Sequence, residues 1–270
     1  MTVYKHLIIT GGGLIGLCYI GCIKYLYEVN LMDEIEEYTG TSIGALICAM
    51  LNLDHNMDDI VNFLKINRLI DKRDISMYNL LNNYGLNNGN NFRNTILKYS
   101  NELEMRFDDF QKKTKRKLTI TAVSLSKCRV EYFNYINTPD LRIIDAICMS
   151  CCIPFLFTPI VYNDELYIDG GLLVNKYDID EQYNIIYIEY DIQIINKMPC
   201  TILDYIANII RCLLTNTHKE YKKNILNISI NCSRYQLFSF DYMDRIDEMV
   251  EYGYNETELK LRGNPILSNI

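Results

Sequence analysis

Thr39-Gly40-Thr41-Ser42-Ile43-Gly44-Ala45-Leu46 joins a short β-like run to an apolar helical one through a serine set between two glycines. The strand ends at Thr39-Gly40-Thr41, and the spacing of Ala45, Leu46, Ala49 and Leu53 predicts a helix that begins at Ser42. Gly-x-Ser-x-Gly in that setting is the pattern of a sharp strand-to-helix turn, which lifts the serine Oγ clear of the backbone. Gly40 and Gly44 remove side chains where chain and substrate approach closely, and the helix points the positive end of its dipole at the serine. A serine that merely caps a helix after a glycine turn has the same local appearance. The five residues alone leave both readings open.

Upstream, residues 4–10 read as a buried strand, Gly11-Gly12-Gly13 breaks it, and a helix follows from about Leu14 to Glu28. Asn30 and the acidic stretch Asp33 to Glu37 make a solvated connection to the strand before Ser42. Strand, glycine turn and helix thus occur twice in the first fifty residues. That repetition predicts an α/β fold, a three-layer α/β/α arrangement around a central, mostly parallel sheet. Gly11-Gly12-Gly13-Leu14-Ile15-Gly16 has two readings of its own. Consecutive unobstructed backbone N–H groups at a helix N-terminus suit an oxyanion hole. Gly11-x-Gly13-x-x-Gly16 also fits a dinucleotide fingerprint, with Asp33 or Glu34 near the distance of a ribose contact. Those acids lie in a polar stretch and do not end an apolar second strand. An NAD(P)-binding Rossmann oxidoreductase is therefore the weaker alternative.

Downstream, residues 54–110 read as mainly helical with an Asn-rich loop at 82–91, and a basic run, Lys112 to Lys117, precedes strands at 118–123 and 129–135. A helix covers about 141–150. The apolar stretch from Ile143 to Tyr162 holds Asp145, Pro154 and Pro159, which argues against a membrane span and for a helix, a turn and a buried strand. Tyr167-Ile168-Asp169-Gly170-Gly171 is a strand ending in a turn. A strand at 185–189, a long amphipathic helix at 201–223, a strand at 225–230 and a polar-faced helix at 241–261 complete the chain. No repeat or linker-like shift in composition divides it, so residues 1–270 are expected to form one domain with a motif-bearing core at about 4–190.

Hydrophobic residues make up 49% of the 270, enough for a sizeable core, and the formal net charge of −7 repels nucleic acid. The ten cysteines form no paired CxxC modules and no zinc-finger spacing, and Cys18, Cys22 and Cys48 sit in apolar helical stretches. They are expected to be reduced, structural thiols, and no metal set is visible. No secretory signal or transmembrane helix is read, which predicts an intracellular protein, cytoplasmic or peripheral to membranes.

Asp169-Gly170-Gly171 alone is a tight turn with an aspartate. Taken with Gly11 to Gly16 and Gly40-x-Ser42-x-Gly44, in this order, it resembles the patatin-like phospholipase family. Asp145-Ala146, Ser150, Pro154, Phe157 and Pro159 match the family's segment before the Asp motif, and Asn175 matches an asparagine after it. Two positions depart: Ile15 stands where the family commonly has Arg or Lys, and Tyr177 where it often has proline. The resemblance implies a Ser42–Asp169 dyad with Gly11, Gly12 and Gly13 as oxyanion loop and Gly16, Gly40, Gly44, Gly170 and Gly171 in support. It implies no cofactor and a phospholipid or other lipid ester as substrate, cleaved in the manner of a phospholipase A or lysophospholipase.

Phe155, Leu156, Phe157 and the 55–90 region read as ordinary core or as candidate apolar surface, and Lys112 to Lys117 as a solvated loop before a strand, with contact to an anionic membrane as the weaker alternative. Loss of the basic residue at Ile15 keeps a non-catalytic lipid-binding relative as an alternative. Of the three histidines, His6, His55 and His218, only His218 follows Ser42 and Asp169 in the order of an α/β-hydrolase triad, and it lies in a polar helical stretch. Ser42→Ala and Asp169→Asn are each expected to abolish ester hydrolysis while His218→Ala leaves it largely intact. A folded but inactive His218→Ala protein would replace the dyad with a triad.

Overall fold

The computed structural model describes residues 2–173, 177, 183–191, 205–206, 208–209, 212, 224–231, 235 and 242–262. His6–Ile9 (β1) is buried at every position, as an apolar run in the middle of a parallel sheet must be. β2 (Glu37–Thr41) pairs on one side of it and β9 (Ile185–Asp191) on the other. β4 (Lys117–Ser124) extends the parallel set beyond β2, and β10 (Ile225–Asn231) extends it beyond β9. On the β4 side the sheet turns antiparallel: β5 (Arg129–Phe133) and β8 (Glu165–Asp169) pair with β4, and β7 (Ile160–Tyr162) with β8. The sheet is therefore mixed but mostly parallel, with the order β10-β9-β1-β2-β4-β8-β7.

Parallel neighbours need crossovers, and helices supply them. α1 (Gly16–Glu28) links β1 to β2, and α2 (Ile43–Asn52) leaves the end of β2. Leu7 and Ile9 join the main core with α1, α2, α7 (Ile143–Ser150) and α8 (Ile246–Leu261). Ile8 faces the other way and packs with Tyr177, Ile185 and Tyr187. This alternation buries the sheet on both faces.

α1 and α8 cross at glycines. A Cβ on Gly21 would lie 1.8 Å from the Val250 carbonyl oxygen, and one on Gly253 would lie 1.9 Å from that of Cys18. The two backbones touch where side chains would otherwise hold them apart. Cys18, Cys22 and Cys48 are buried thiols outside any disulfide, as expected of small core residues.

Three expectations need correction. The Asn-rich stretch at 82–91 is not a plain loop: it ends α4 (Met77–Asn83), forms β3 (Gly85–Asn87) and begins α5 (Asn90–Tyr99). β3 exists because it pairs with β6 (Phe155–Phe157), Gly85 opposite Phe155 and Asn87 opposite Phe157, a long-range contact that local propensity does not encode. The segment after α7 is two short strands, β6 and β7, rather than one buried strand, and Val161 is exposed.

The basic run is not a free patch. It ends α6 (Phe107–Thr114) and begins β4, with Lys112 paired to Asp108, Lys113 to Glu102, Arg116 to Asp54 and Lys117 to Glu37. The helix expected over 201–223 lies largely outside the described residues.

Gly21→Ala should force α1 and α8 apart and lower the unfolding free energy by about 1–3 kcal/mol or more. Chemical denaturation would show it as a lower midpoint, whereas an unchanged midpoint would mean that the helices are not in backbone contact.

Candidate active site

The register of the sheet brings the two sequence motifs together. Thr41 at the end of β2 is level with Thr121 of β4, and Ala122 is level with Asp169 of β8. Ser42, one residue beyond Thr41, therefore flanks Ala122 on one side while Asp169 flanks it on the other. The Ser42 Oγ donates a hydrogen bond of 2.6 Å to Asp169 Oδ2, and both residues are buried. β8 reaches this level because it runs back, antiparallel, from beyond the end of β4.

Ser42 has φ 54° and ψ −127°, a left-handed conformation that costs a non-glycine residue about 1–3 kcal/mol. The surroundings hold it there. Ser150, on the last turn of α7, accepts from the Ser42 N–H at 2.7 Å and donates to the Thr121 carbonyl at 2.6 Å. Gly40 and Gly44 permit the turn: a Cβ on the first would lie 2.5 Å from Ala45 Cα, and one on the second 2.2 Å from the Ile9 carbonyl oxygen. Thr41 is tethered through its own hydroxyl to Tyr177 at 2.6 Å. The tyrosine at the family's proline position thus bonds to the residue beside Ser42. Asn175 lies outside the described residues, as does His218.

The glycine loop runs beside Ser42. A Cβ on Gly11 would sit 3.3 Å from Ser42 Cβ, and Gly13 has a positive φ of 54° before the turn that opens α1. Among the described residues, no cation is bonded to the loop. Ile15 is buried in the core, and the Tyr19 hydroxyl donates to the Gly11 carbonyl at 3.1 Å. The Ile15 N–H closes the turn onto Gly12 at 3.0 Å. Gly16 abuts Ile43, and Gly170 fits against the Thr121 carbonyl. The Gly171 N–H donates to Asp169 Oδ1 at 2.8 Å, which fixes the second carboxylate oxygen.

Burial raises the Asp169 carboxyl from 3.8 to about 6, against the opposing pull of the hydrogen bonds from Ser42 and Gly171. Cys151 shares a hydrogen bond with Ser42, but burial pushes its thiol far up and keeps it neutral. An apolar cleft opens at the serine, lined by Leu14, Ile43, Leu69, Phe92, Ile153 and Phe157 among others. It adjoins a second apolar cleft between α1, α2 and α3 (Met57–Ile66), with which it shares Leu14, Ile43 and Leu69. Phe92, Cys151 and Phe157 also border a larger, more polar cleft of about 490 Å³ that takes in Arg93, Arg142 and Asp145.

The two described histidines stand elsewhere. His6 begins β1, at the end of the sheet away from Ser42, and is bonded to Thr39 at 2.9 Å. His55 lies past the far end of α2 and bonds to Ser100 at 3.1 Å. Asp33 and Glu34 are exposed in the turn before β2. They are at the N-terminal edge of the sheet, opposite to where a dinucleotide's ribose would lie, which removes the Rossmann alternative.

Ser150 is the residue whose importance the sequence conceals. Its position in a motif was visible, but the bond to the Ser42 backbone spans 108 residues.

The folded protein binds the Asp169 proton more tightly than the unfolded chain, whose carboxyl titrates near 3.8. Ionising Asp169 therefore lowers stability progressively as pH rises from about 4 to about 6, by up to about 3 kcal/mol. Asp169→Asn should be more stable than the parent protein at pH 8, with the gain disappearing near pH 4. Denaturation at the two pH values checks this, and a variant less stable at pH 8 would contradict it.

A profile of the patatin-like phospholipases matches residues 7–181. The probable lipid hydrolase 463L of Invertebrate iridescent virus 6 is 29% identical over 238 residues, covering 83% of this chain and 77% of that protein. Triacylglycerol lipase 4 of Saccharomyces cerevisiae is 28% identical over 169 residues, covering 56% of this chain but only 18% of the lipase. In structure, VipD from Legionella pneumophila superposes with a TM-score of 0.58 at 15% identity, over 96% of this chain and 67% of VipD, a likeness of fold. The glycine loop, the serine turn and the Asp-Gly-Gly turn all fall inside the matched residues, and the chain belongs to the patatin-like phospholipase family, a family of lipid acyl hydrolases.

Proposed function

We propose that Ser42 and Asp169 are the catalytic dyad of this lipid acyl hydrolase and that it cleaves carboxylic esters of membrane lipids as a phospholipase A or lysophospholipase does. The observation that carries the reading is the 2.6 Å hydrogen bond between Ser42 Oγ and Asp169 Oδ2 at a buried site. Ser42 Oγ attacks the ester carbonyl while Asp169 takes its proton. The backbone N–H groups of Gly12 and Gly13, with Gly11 beside them, receive the negative charge on the carbonyl oxygen. Asp169 then protonates the departing alcohol, and water, deprotonated by the same carboxylate, releases the acyl group from Ser42.

Two features support the assignment of roles. A carboxylate is a weak base toward a hydroxyl, and a value near 6 narrows that gap while leaving Asp169 ionised at neutral pH. The fixed backbone of Ser42 aims its Oγ at the carboxylate without a histidine between them. The joined apolar clefts suit an acyl chain, and the larger polar one suits the rest of a lipid. The family's basic residue is replaced at Ile15, but the Tyr19 hydroxyl ties the loop in its place, so a non-catalytic role gains nothing from that change. We further take residues 1–270 as one catalytic domain, since a single sheet runs from β10 to β7.

The dyad predicts that kcat/KM falls as pH drops through about 6, where Asp169 becomes protonated and ceases to act as a base. A fluorophosphonate probe should label Ser42, with labelling lost in Ser42→Ala and slowed by about 10²–10⁴ in Asp169→Asn. Labelling at another residue, or hydrolysis that persists in Ser42→Ala, would refute the assignment.

A further inference from the structure

We propose that α4 and the residues around it form the surface by which the protein seats on an uncharged lipid–water interface. The inference rests on the lipid substrate proposed above. α4 departs from the usual rule for a surface helix, which hides its apolar residues: it packs Leu80 inward but leaves its other apolar side chains in solvent. Met77, Tyr78 and Leu81, with Tyr84 at the helix end, fall within about 120° of one another around the axis at 3.6 residues per turn. They are 62%, 76%, 77% and 66% exposed. The inward side is held by both kinds of contact: Leu80 packs against the core, and Asn79 donates to the Gly85 carbonyl at 2.6 Å and to Thr158 Oγ at 2.9 Å. The exposure does not come from a detached segment. Ser76 caps α4 by accepting from the Asn79 N–H, and its own N–H bonds to the Leu86 carbonyl at 2.8 Å.

The charge pattern names the kind of surface. No residue from Ile75 to Phe92 is charged, in a chain where 23% of residues are. Four of the basic residues from Lys112 to Lys117 are held in ion pairs, so the run is poorly placed to attract an anionic membrane. An interface bearing zwitterionic head groups needs no such attraction. Exposed tyrosines with leucine and methionine are what the boundary between head groups and acyl chains accommodates.

The position is that of an entrance. α4 is bonded to β3 and to Thr158, and β3 pairs with β6, whose Phe155 is 52% exposed and whose Phe157 lines the cleft at Ser42. Phe92, just past this segment, packs against Phe157 with ring centroids 5.6 Å apart. A lipid leaving a bilayer at α4 would meet Phe155, then Phe157, then Ser42.

The test uses the Ser42→Ala protein, so that binding is measured without turnover, on vesicles of phosphatidylcholine alone. Cosedimentation should show binding that persists from about 0.1 M to about 1 M salt, where ionic attraction is screened. Adding Tyr78→Gln and Leu81→Gln should weaken it about tenfold or more, with folding checked by circular dichroism. With Ser42 restored, the double substitution should leave hydrolysis of a dissolved short-chain ester unchanged and reduce hydrolysis of vesicle lipid by a similar factor. Equal vesicle binding with and without the substitutions would overturn the proposal. So would binding confined to anionic vesicles and lost in salt, or a dimer that the substitutions split and that ignores vesicles. Vesicle binding without any Ser42-dependent hydrolysis would instead defeat the catalytic reading and leave this one standing.

Discussion

The backbone of Ser42 is held where an L-residue resists going, and much of the structure serves to keep it there. A φ of 54° places the serine Oγ out of the line of β2 and α2, toward β8. A strain of that kind persists only where the surroundings hold it. The compensation comes from the sheet edge: the Ser150 hydroxyl on the Ser42 N–H, the Thr41 tether to Tyr177, and the two glycines that let α2 close against β1 and β2. Thr121 stands at the centre of these ties, since its carbonyl receives Ser150 and its hydroxyl lies 2.5 Å from that of Thr41. The same strand carries Ala122, the residue between Ser42 and Asp169.

The polarity of the site follows from its depth. Asp169 is buried at the end of a strand, with one oxygen fixed by the Gly171 N–H and the other by Ser42. Two hydrogen bonds favour the ionised form but do not offset the loss of water, so the carboxyl sits near 6. Under the proposed role, stability and chemistry are opposed at this one residue, because the burial that would make the carboxylate a better base also makes its charge costly. Cys151 shows the same burial acting on a thiol: it is pushed away from ionisation and left as part of the wall.

A lipid enzyme has also to meet its substrate at a boundary, and the arrangement of α4 bears on that. Apolar side chains are normally scarce on an exposed helix face because water penalises them. Here they are grouped, uncharged in context and joined by β3 and β6 to the cleft at the serine. The ion-paired run at Lys112 to Lys117 shows why basic composition alone is a poor guide to membrane contact: acids distant in sequence, Asp54, Glu37 and Glu102, reach it and neutralise it.

How far the sequence carried can be judged residue by residue. β1, β2, α1 and α2 were legible because strand runs, glycine turns and helical spacing are local signals, and Gly40-x-Ser42-x-Gly44 marked the sharp turn between two of them. Asp169 was legible as the end of a strand, but not that β8 runs antiparallel, since direction depends on the partner strand. β3 was read as part of a loop because Gly85 and Asn87 become a strand only against β6. The order of the motifs by itself determined the family and singled out Ser42 and Asp169 as the residues proposed to carry its chemistry. Tertiary structure alone decided the 2.6 Å approach of Ser42 to Asp169, the anchoring of Ser42 by Ser150 and the hold of Tyr19 on the loop where Ile15 replaces a cation. The physical reason is that distances across a sheet are set by register, and burial by everything packed above it, neither of which is a property of any short stretch of chain.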